Sequence, residues 1–234
     1  MAYGDLVSRV DFNMKRDSPF SYACHACNRC CRNKAIRVSP YEILRLARYL
    51  GISTTQFIAN HTEAGGTVLR TNENGDCGFL GERGCSVHPD RPLACRIYPL
   101  ARWVSPDGEE SFGHLTPHPH TAGIYGTSGT VQDYLDHQQL APFFEMSERY
   151  GKLYQAMVDL LEKLDPDELD RRPERRAAID ELPAGTLASM WVDIDLTIAH
   201  ANMNSRDQHV SVEEAINIHI QSIEVWIQSA ASNL

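Results

Sequence analysis

Four cysteines lie within eight residues near the beginning of the chain, in the segment CHACNRCC. The seven cysteines of the sequence are Cys24, Cys27, Cys30, Cys31, Cys77, Cys85 and Cys95. Packing of an apolar core does not require such a cluster, whereas thiolates are soft ligands that suit zinc, copper(I) and iron–sulfur clusters. The spacing therefore predicts metal ligands at all seven positions, in the first part of the chain.

The number of thiols leaves more than one kind of metal centre open. Seven exceed the four that a tetrahedral zinc or a single cubane cluster needs. The spacing Cys24-x2-Cys27-x2-Cys30 matches the first three ligands of a bacterial ferredoxin cluster, but Cys31 follows directly and no Cys-Pro follows at ferredoxin spacing. We expect the side chains of Cys30 and Cys31 to diverge, so that one binds the metal while the other serves a second metal, a bridge or redox chemistry. The expected cofactor is an iron–sulfur cluster of the 4Fe-4S type, with zinc as the alternative.

The segment that holds the first four cysteines fits two local conformations. On a helical turn, Cys24, Cys27 and Cys31 would lie on one face, with Cys30 at its margin. An irregular metal knuckle is the other interpretation. Several sulfur atoms can converge in either geometry.

Charged and imidazole side chains near the later cysteines are further candidates for the site. Arg91 and Arg96 flank Cys95, where they either donate hydrogen bonds to sulfur around the cofactor or form an ion pair within the loop. His88 precedes a proline and is interpreted as a turn residue rather than a ligand. Solvated side chains are favoured over a second, harder metal site for His114, His118 and His120.

Charge and hydropathy exclude several classes of protein. The formal net charge is −9 at pH 7, which argues against a general nucleic-acid binder. The first residues lack the apolar core of a secretory signal, and no apolar run has the length needed to span a bilayer. We therefore expect a cytoplasmic protein without a membrane partner, in a reducing compartment where clustered cysteines hold metal more often than they form disulfides.

The elements that must position the cysteines indicate an α+β protein, mainly α. Residues 1–128 are predicted to form a cysteine-cluster metal-binding domain with short β-hairpins at 67–80 and 101–115 and a loop at 116–129. Two helices, at 40–50 and from 54 to about 60, are predicted inside it because each begins with a capping box, at Ser39 and at Ser53.

Residues 129–234 are predicted to form a helical domain packed against the cysteine-rich one. Helices are expected at 131–140, at 142–164, at 187–199 and from the capping box at Ser211 onward, with a short exposed helix or linker at 167–181. The apolar stripe of the longest helix is interpreted as bundle core. A protein partner, if the cysteines are only a scaffold, is expected to dock on this helical part.

The ordered motifs of the first hundred residues resemble the CxxCxxCC family, also called the YkgJ-type zinc- or iron-chelating cysteine cluster family. The matching motifs are Cys24-x2-Cys27-x2-Cys30-Cys31, Cys77-Gly-Phe-Leu, Gly84-Cys85 and Arg91-Pro92-x2-Cys95-Arg96-x-Tyr98-Pro99. Gly78 and His88 depart from the residues that are common in the family. The resemblance implies that the seven cysteines chelate zinc or iron.

Several functions follow from these observations. The first is a metalloprotein with an iron–sulfur or polynuclear iron or zinc thiolate centre that acts in redox chemistry or in the modification of a macromolecule. The second is a structural zinc module that presents a protein-interaction surface, and a weaker third is metal storage or delivery. A related cysteine pattern in flagellin lysine N-methylases implies a fourth, a protein lysine N-methylase, although the sequence lacks a Gly-rich S-adenosylmethionine loop after a strand.

Overall fold

The computed structural model describes residues 10–163, 190–201 and 210–232. It has short antiparallel strand pairs and a larger share of helix, so the fold class is α+β and mainly α, as predicted. The chain divides into two compact units, one formed by Met1–Arg37 and Val68–Phe144 and the other by Val38–Thr67 and Glu145–Leu234. Among the described residues, none of the helices has both the length and the apolar character to cross a bilayer.

The helices and strands are numbered here in chain order. The strands are β1 (Pro19–Ala23), β2 (Thr62–Glu63), β3 (Val68–Leu69), β4 (Leu80–Gly81), β5 (Gly84–Cys85), β6 (Leu100–Val104), β7 (Glu110–His114) and β8 (Ile124–Thr130). The α-helices are α1 (Pro40–Leu50), α2 (Thr54–His61), α3 (Leu93–Ile97), α4 (Val131–His137), α5 (Ala141–Lys163), α6 (Ile194–Ala201) and α7 (Val212–Ser232). Short 3-10 helices lie at Arg29–Cys31, Ala64–Gly66 and His88–Asp90.

Two antiparallel strand pairs and helix α4 enclose the core of the first unit. Strand β1 pairs with β8, and β6 pairs with β7 in the second hairpin that the sequence predicts. Gly108 makes the turn of that hairpin at φ 84°, in the left-handed region that glycine tolerates. The buried core residues are Phe20, Ile97, Leu100, Phe112, Val131, Tyr134, Leu135, Leu140 and Phe144.

Strand β8 corrects the prediction of a loop over 116–129. Residues from Ile124 onward form a strand because β1 supplies hydrogen-bond partners, with Tyr22 opposite Tyr125. The sequence of β8 contains two glycines and a serine, which have low intrinsic strand preference. Tertiary pairing therefore decides the conformation here.

The first predicted hairpin, over 67–80, forms only in part. A single antiparallel bridge joins Thr71 to Cys77 around a turn in which the Asn72 side chain accepts hydrogen bonds from the N–H groups of Asn74 and Asp76, each at 2.9 Å. After the bridge, β4 pairs with β5 instead of continuing along the first arm. The turn chemistry was readable from the sequence, but the length of the pairing was not.

Helices α1 and α2 begin as predicted, and both belong to the second unit. Ser39 and Glu42 form a complete capping box at α1, and Ser53 and Gln56 form one at α2. Gly51 ends α1 at φ 69°, where its N–H group bonds to the carbonyl oxygens of the last turn. Local signals at both ends of α1 therefore fix its length.

The remaining helices of the second unit also appear where the sequence indicates them. Helix α5 covers nearly all of the predicted 142–164, α6 begins within the predicted 187–199, and α7 follows Ser211, whose hydroxyl accepts a hydrogen bond from the Glu214 N–H at 3.2 Å. The element predicted at 167–181 lies outside the described residues. Buried apolar side chains of this unit include Ile43, Leu44, Leu46, Phe57, Leu153, Ile194, Ile216, Ile220 and Ile223.

Candidate metal centre

All seven cysteines belong to the first unit, and none of them forms a disulfide. Cys24 follows β1 directly and is exposed, and the other six are partly buried. Cys77 follows the Asn72 turn, Cys85 ends β5 and Cys95 lies in the middle of the one-turn helix α3. Short irregular segments, rather than one long element, therefore carry the thiols.

The segment Cys24–Cys31 is a knuckle and not a helical turn. Ala26 and Asn28 adopt positive φ values of 49° and 62°, which a right-handed helix cannot contain. Only Arg29–Cys31 form a turn of 3-10 helix. The helical interpretation is therefore wrong here, because two left-handed residues bend the backbone between the cysteines.

The side chains of the adjacent cysteines Cys30 and Cys31 were expected to diverge, but their sulfur atoms lie close together. Their Sγ atoms lie 3.9 Å apart across the 3-10 turn. Two thiolates bound to the same tetrahedral zinc would be separated by about 3.8 Å, given a Zn–S bond of about 2.3 Å. The separation therefore fits two ligands of one metal ion.

Three of the cysteines have the same local hydrogen bond, in which the backbone N–H of the residue two positions later donates to the cysteine sulfur. Arg29 donates to Cys27, Phe79 donates to Cys77, and Val87 donates to Cys85. Such bonds favour the charged form of the thiol, which is the form that binds metal. Three separate segments thus have the same turn around a sulfur atom, which suits a thiolate centre.

Cys27 also receives contacts from the loop that precedes β8. The Ala122 N–H donates a hydrogen bond to its sulfur, and this bond, with that from Arg29, lowers the pKa of the Cys27 thiol. The Thr121 hydroxyl lies 4.0 Å from the same sulfur. No sequence signal indicated these two residues, because nothing local relates them to a thiol more than 90 positions earlier.

Charge and burial act differently on the other thiols. A hydrogen bond from the Cys31 thiol lowers the pKa of Cys30 to about 6, and the same bond with burial raises the pKa of Cys31. Burial is the main reason that the pKa values of Cys77 and Cys85 are raised. Without metal, Cys30 is therefore the thiol that ionises first within this adjacent pair.

The thiols interact with one another electrostatically, but their sulfur atoms do not converge on a common point. The negative charge of ionised Cys30 disfavours ionisation of four other thiols, those of Cys27, Cys31, Cys77 and Cys85. Within the part of the chain that the structure describes, however, no three His, Cys, Asp or Glu side chains are gathered closely enough to hold a metal ion. Thiolates repel one another, and a bound cation supplies the attraction that draws them together.

Arg96 is a buried cation that organises the loop around Cys95. Its Nε donates to the Arg91 carbonyl at 3.0 Å, Nη1 donates to the Gln138 carbonyl at 3.1 Å, and Nη2 donates to the Pro89 carbonyl. The guanidinium also lies 4.5 Å from the centroid of the Phe143 ring. These contacts hold the backbone that carries Cys95 and its neighbours.

Arg91 places a positive charge beside the thiols. Its guanidinium bonds to the His88 ring and donates to the Gln138 side-chain oxygen, and its charge favours the ionised forms of Cys30 and Cys85. Of the two arginines, Arg91 is therefore the one whose charge bears on the sulfur atoms in the contacts described here.

The candidate histidines lie in different surroundings. Burial and the charges of Arg91 and Arg96 lower the pKa of His88. His114 packs edge-on against Phe20 and Tyr125, and burial lowers its pKa. The two exposed histidines of the loop are held by a local contact, in which the ring nitrogen Nδ1 of His118 accepts a hydrogen bond from the His120 N–H at 3.1 Å.

A group of tyrosines borders the thiols, and only one of them, Tyr98, lies in a motif recognised in the sequence. Tyr22 contacts Tyr125 at 4.8 Å and Tyr98 at 6.1 Å between ring centroids. The Tyr134 hydroxyl donates to the Tyr98 carbonyl at 2.5 Å. Burial, and then the charge of Cys24, raises the pKa of Tyr22, so its phenol stays neutral next to the site.

The cysteine pattern, now placed in the fold, has a counterpart among known families. Residues 23–118 match the model of the CxxCxxCC family, which is described as "Putative zinc- or iron-chelating domain". The match contains all seven cysteines, and the resemblance seen in the sequence is confirmed. Neither the curated proteins nor the solved structures contain a match to the chain.

Proposed function

We propose that the CxxCxxCC segment binds iron or zinc through its thiolates, in a centre that holds more than one metal ion. The observation that carries the proposal is the repeated turn in which a backbone N–H two residues later donates to the sulfur of Cys27, Cys77 or Cys85. Three unconnected segments of an ordinary core would have no reason to repeat it. Around thiolates, the turn supplies donors that stabilise negative charge.

The donor set supports soft metals. All seven thiols are uncrosslinked, six are partly shielded from water, and the charge of Arg91 favours thiolate at two of them. Sulfur ligands of this kind suit zinc and iron–sulfur clusters rather than calcium or magnesium. A group of seven cysteines without a disulfide bond also accords with a reducing, cytoplasmic location.

An iron–sulfur cluster is the form that would give the protein a chemical activity. A 4Fe-4S cluster would supply electron transfer, and it would use four of the seven cysteines. Neutral phenols such as Tyr22 and Tyr98 would shield it from solvent, because their rings lie next to the thiols. We propose redox chemistry or modification of a macromolecule as the role of a centre of this form.

Metal and acid-labile sulfide content, measured on untagged protein purified without oxygen, tests the proposal. About four irons and four sulfides per chain would identify a cubane cluster. Zinc without sulfide would identify a thiolate centre without redox activity. Protein that contains neither metal, and that binds neither after reduction and incubation with Zn²⁺ or Fe²⁺, would contradict the proposal.

A structural zinc module is a second candidate, favoured by the backbone of the cysteine-rich segments. From Cys24 to Arg37 no residue is buried, and regular structure is limited to one 3-10 turn and two isolated β-bridges, at Arg32 and Arg37. Such a segment buries too little apolar surface to offset the entropy of ordering it. Zinc would then be the main source of its order, and a protein partner would dock on the helices of the second unit.

Chelation distinguishes the two candidates once the metal is known. If a zinc-loaded protein loses its first-unit structure in the presence of a chelator and regains it when Zn²⁺ is restored, the metal is structural. A zinc protein that keeps this structure without metal would contradict the scaffold role. Circular dichroism in the near ultraviolet, where the tyrosines of the first unit contribute, follows the change.

A further inference from the structure

The loop before β8 packs on one of the candidate metal ligands. The Thr121 hydroxyl lies 4.0 Å from the sulfur of Cys27, a residue 94 positions earlier in the chain. The Ala122 N–H donates a hydrogen bond to the same sulfur. With the N–H two residues later, the sulfur of Cys27 has three donors around it, whereas the backbone donates once to Cys77 and once to Cys85. Distant loop contacts therefore single out Cys27 among the three.

The hydrogen bonds of Thr121 determine what its hydroxyl can offer to the sulfur. The hydroxyl oxygen accepts a hydrogen bond from the Gly123 N–H at 3.1 Å, and the Thr121 N–H donates to the His118 carbonyl at 2.8 Å. Neither bond uses the hydroxyl proton, which is therefore available to Cys27. A metal-bound thiolate carries no proton and can only accept, so Thr121 is the donor of this pair when the sulfur binds metal.

Gly123 brings the same loop into close contact with Tyr22. A methyl group added at Gly123 would lie 2.5 Å from the Tyr22 hydroxyl oxygen and 2.5 Å from the Cε2 atom of its ring. Such distances are far below the separation of about 3.5–4.0 Å at which carbon atoms attract one another. Glycine is therefore the residue that fits while the loop and the ring keep their positions.

The Tyr22 ring has little freedom to make room, because three other rings surround it. Its centroid lies 4.8 Å from that of Tyr125, 6.1 Å from that of Tyr98 and 6.4 Å from that of Tyr134. Tyr22 is also paired with Tyr125 in the register of β1 and β8. A side chain at position 123 would therefore displace the loop, and with it the donors to Cys27.

We propose that Thr121–Gly123 is a clamp that positions the sulfur of Cys27 for metal binding, an inference that rests on the proposed thiolate centre. Thr121 and Ala122 donate to the ligand sulfur, and Gly123 seats the clamp on the Tyr22 ring. These are positioning residues, because they act on the metal through Cys27. Hydrogen bonds to a ligand sulfur stabilise its negative charge and reduce its electron donation to the metal, so the clamp sets the affinity and the electronic properties of the centre.

The hydroxyl of Thr121 is tested by a pair of substitutions. Thr121→Val removes the hydroxyl and keeps the shape of the side chain, and it should weaken Zn²⁺ binding by about tenfold. Competition with a chromophoric chelator measures the affinity on the reduced full chain. Thr121→Ser keeps the hydroxyl and should restore the affinity. The exposed Thr127→Val, on β8, is the matched control and should not change it.

The seat of the clamp is tested by a pair of glycine substitutions. Gly123→Ala should weaken Zn²⁺ binding by about 10–100-fold, because the added methyl group moves both donors away from Cys27. A methyl group at Gly151 in α5 would meet no atom within 4 Å, so Gly151→Ala should leave the affinity unchanged. If Gly123→Ala fails to fold, the comparison of Thr121→Val with Thr121→Ser still decides the matter.

A spectroscopic signature separates the clamp from a merely structural loop. Co²⁺ is a coloured replacement for zinc, and its thiolate-to-metal charge-transfer absorption depends on the energy of the sulfur electrons. Loss of a donor raises that energy, so we expect the band to move to longer wavelength in Thr121→Val and to return in Thr121→Ser. A loop that only stabilises the fold would change the urea denaturation of the metal-free protein and leave the band in place.

The possible failures are distinguishable. An unchanged zinc affinity and cobalt band in Thr121→Val, or an equal effect of Thr127→Val, would overturn the clamp while leaving the thiolate centre in place. Gly123→Ala that binds Zn²⁺ as tightly as Gly151→Ala would overturn the seat on Tyr22. An unmodified chain that binds neither Zn²⁺ nor Co²⁺ would overturn both this inference and the function on which it rests.

Discussion

Arg96 shows how a single side chain fixes the backbone next to the candidate metal centre. Arg96 is 5% exposed, and its guanidinium donates to three carbonyl oxygens while its face lies over the Phe143 ring. A planar fork with several donors can satisfy three acceptors in different directions, whereas an ammonium group is a compact point charge. The sequence offered two roles for this arginine, and the carbonyl contacts give it a structural one.

Replacement of Arg96 by lysine should destabilise the protein. We expect Arg96→Lys to lower the free energy of unfolding by about 2–3 kcal/mol, because carbonyl groups near a buried site lose their donors and the stacking on Phe143 is lost. Urea denaturation measures the change. Arg83→Lys, at an exposed position, is the control and should stay within about 0.5 kcal/mol of the unmodified protein. Equal effects of the two substitutions would contradict the structural role of Arg96.

His219 is a buried titratable group of the second unit with both ring nitrogens engaged. Its Nδ1 lies 3.0 Å from the Tyr150 hydroxyl and its Nε2 lies 2.9 Å from the Met190 carbonyl oxygen. Burial lowers its pKa, although the hydrogen bond to Met190 and the charge of Asp193 oppose the shift. The folded protein therefore holds this imidazole in its neutral form.

A lowered pKa at His219 makes stability fall in mild acid. Below about pH 6.5, His219 binds a proton in the unfolded chain but stays neutral in the folded chain. The free energy of unfolding therefore decreases as the pH falls, until His219 is also protonated in the folded state. Above that pH the contribution is absent. His219→Gln should weaken this dependence between pH 7.5 and 5, measured by urea denaturation. The exposed His200→Gln should leave it unchanged, and the same result for both variants would contradict the assignment.

At the scale of elements, Asp193 joins the beginnings of two helices. Its carboxylate accepts hydrogen bonds from the hydroxyls of Thr54 and Thr55 at 2.5 and 2.6 Å, and from the Leu196 N–H at 3.1 Å. The first two contacts come from the first turn of α2 and the third from the first turn of α6. One buried carboxylate thus satisfies donors at two helix N-termini, where negative charge is favourable.

Removal of the Asp193 charge should therefore weaken α2 and α6 together. We expect Asp193→Asn to lower the free energy of unfolding by about 2 kcal/mol, since three charge-assisted hydrogen bonds become weaker or lose their acceptor. Asp159→Asn changes an exposed carboxylate on α5 and should have an effect below about 0.5 kcal/mol. Chemical denaturation followed by far-ultraviolet circular dichroism compares the two, and an unchanged midpoint for Asp193→Asn would contradict the joint cap.

At the scale of the whole molecule, local chemistry was predictable and distant pairing was not. The capping boxes at Ser39 and Ser53 place α1 and α2 correctly, because every group they use lies within four residues. Strand β8 was missed because its partner β1 lies about 100 residues earlier. The sequence also could not indicate that α1 and α2, which lie between the cysteine segments, belong with the C-terminal helices in the second unit.

The features of the candidate site likewise divide into those that the sequence predicts and those that depend on the folded chain. The cysteine spacing identified the thiols and the family, since both are properties of the sequence itself. The left-handed residues Ala26 and Asn28, and the contact of the Thr121 loop with Cys27, depend on the folded chain and had no sequence signal. Residue types therefore predict the class of chemistry, while the grouping of the thiols requires the structure.

Order in the first unit comes from two sources, so metal removal should affect its parts unequally. The core around Phe20, Leu100 and Phe112 contains no cysteine and is held by apolar burial, whereas residues 24–37 have no buried side chain. We expect a chelator to increase amide hydrogen exchange at 24–37 and around Cys77 and Cys85 by at least about tenfold, because local opening there no longer breaks metal–sulfur bonds. Amides of β6 and β7 serve as the internal control and should keep their protection. Uniform loss of protection would mean that the metal supports the whole unit, and unchanged exchange at 24–37 would mean that this segment is ordered without metal.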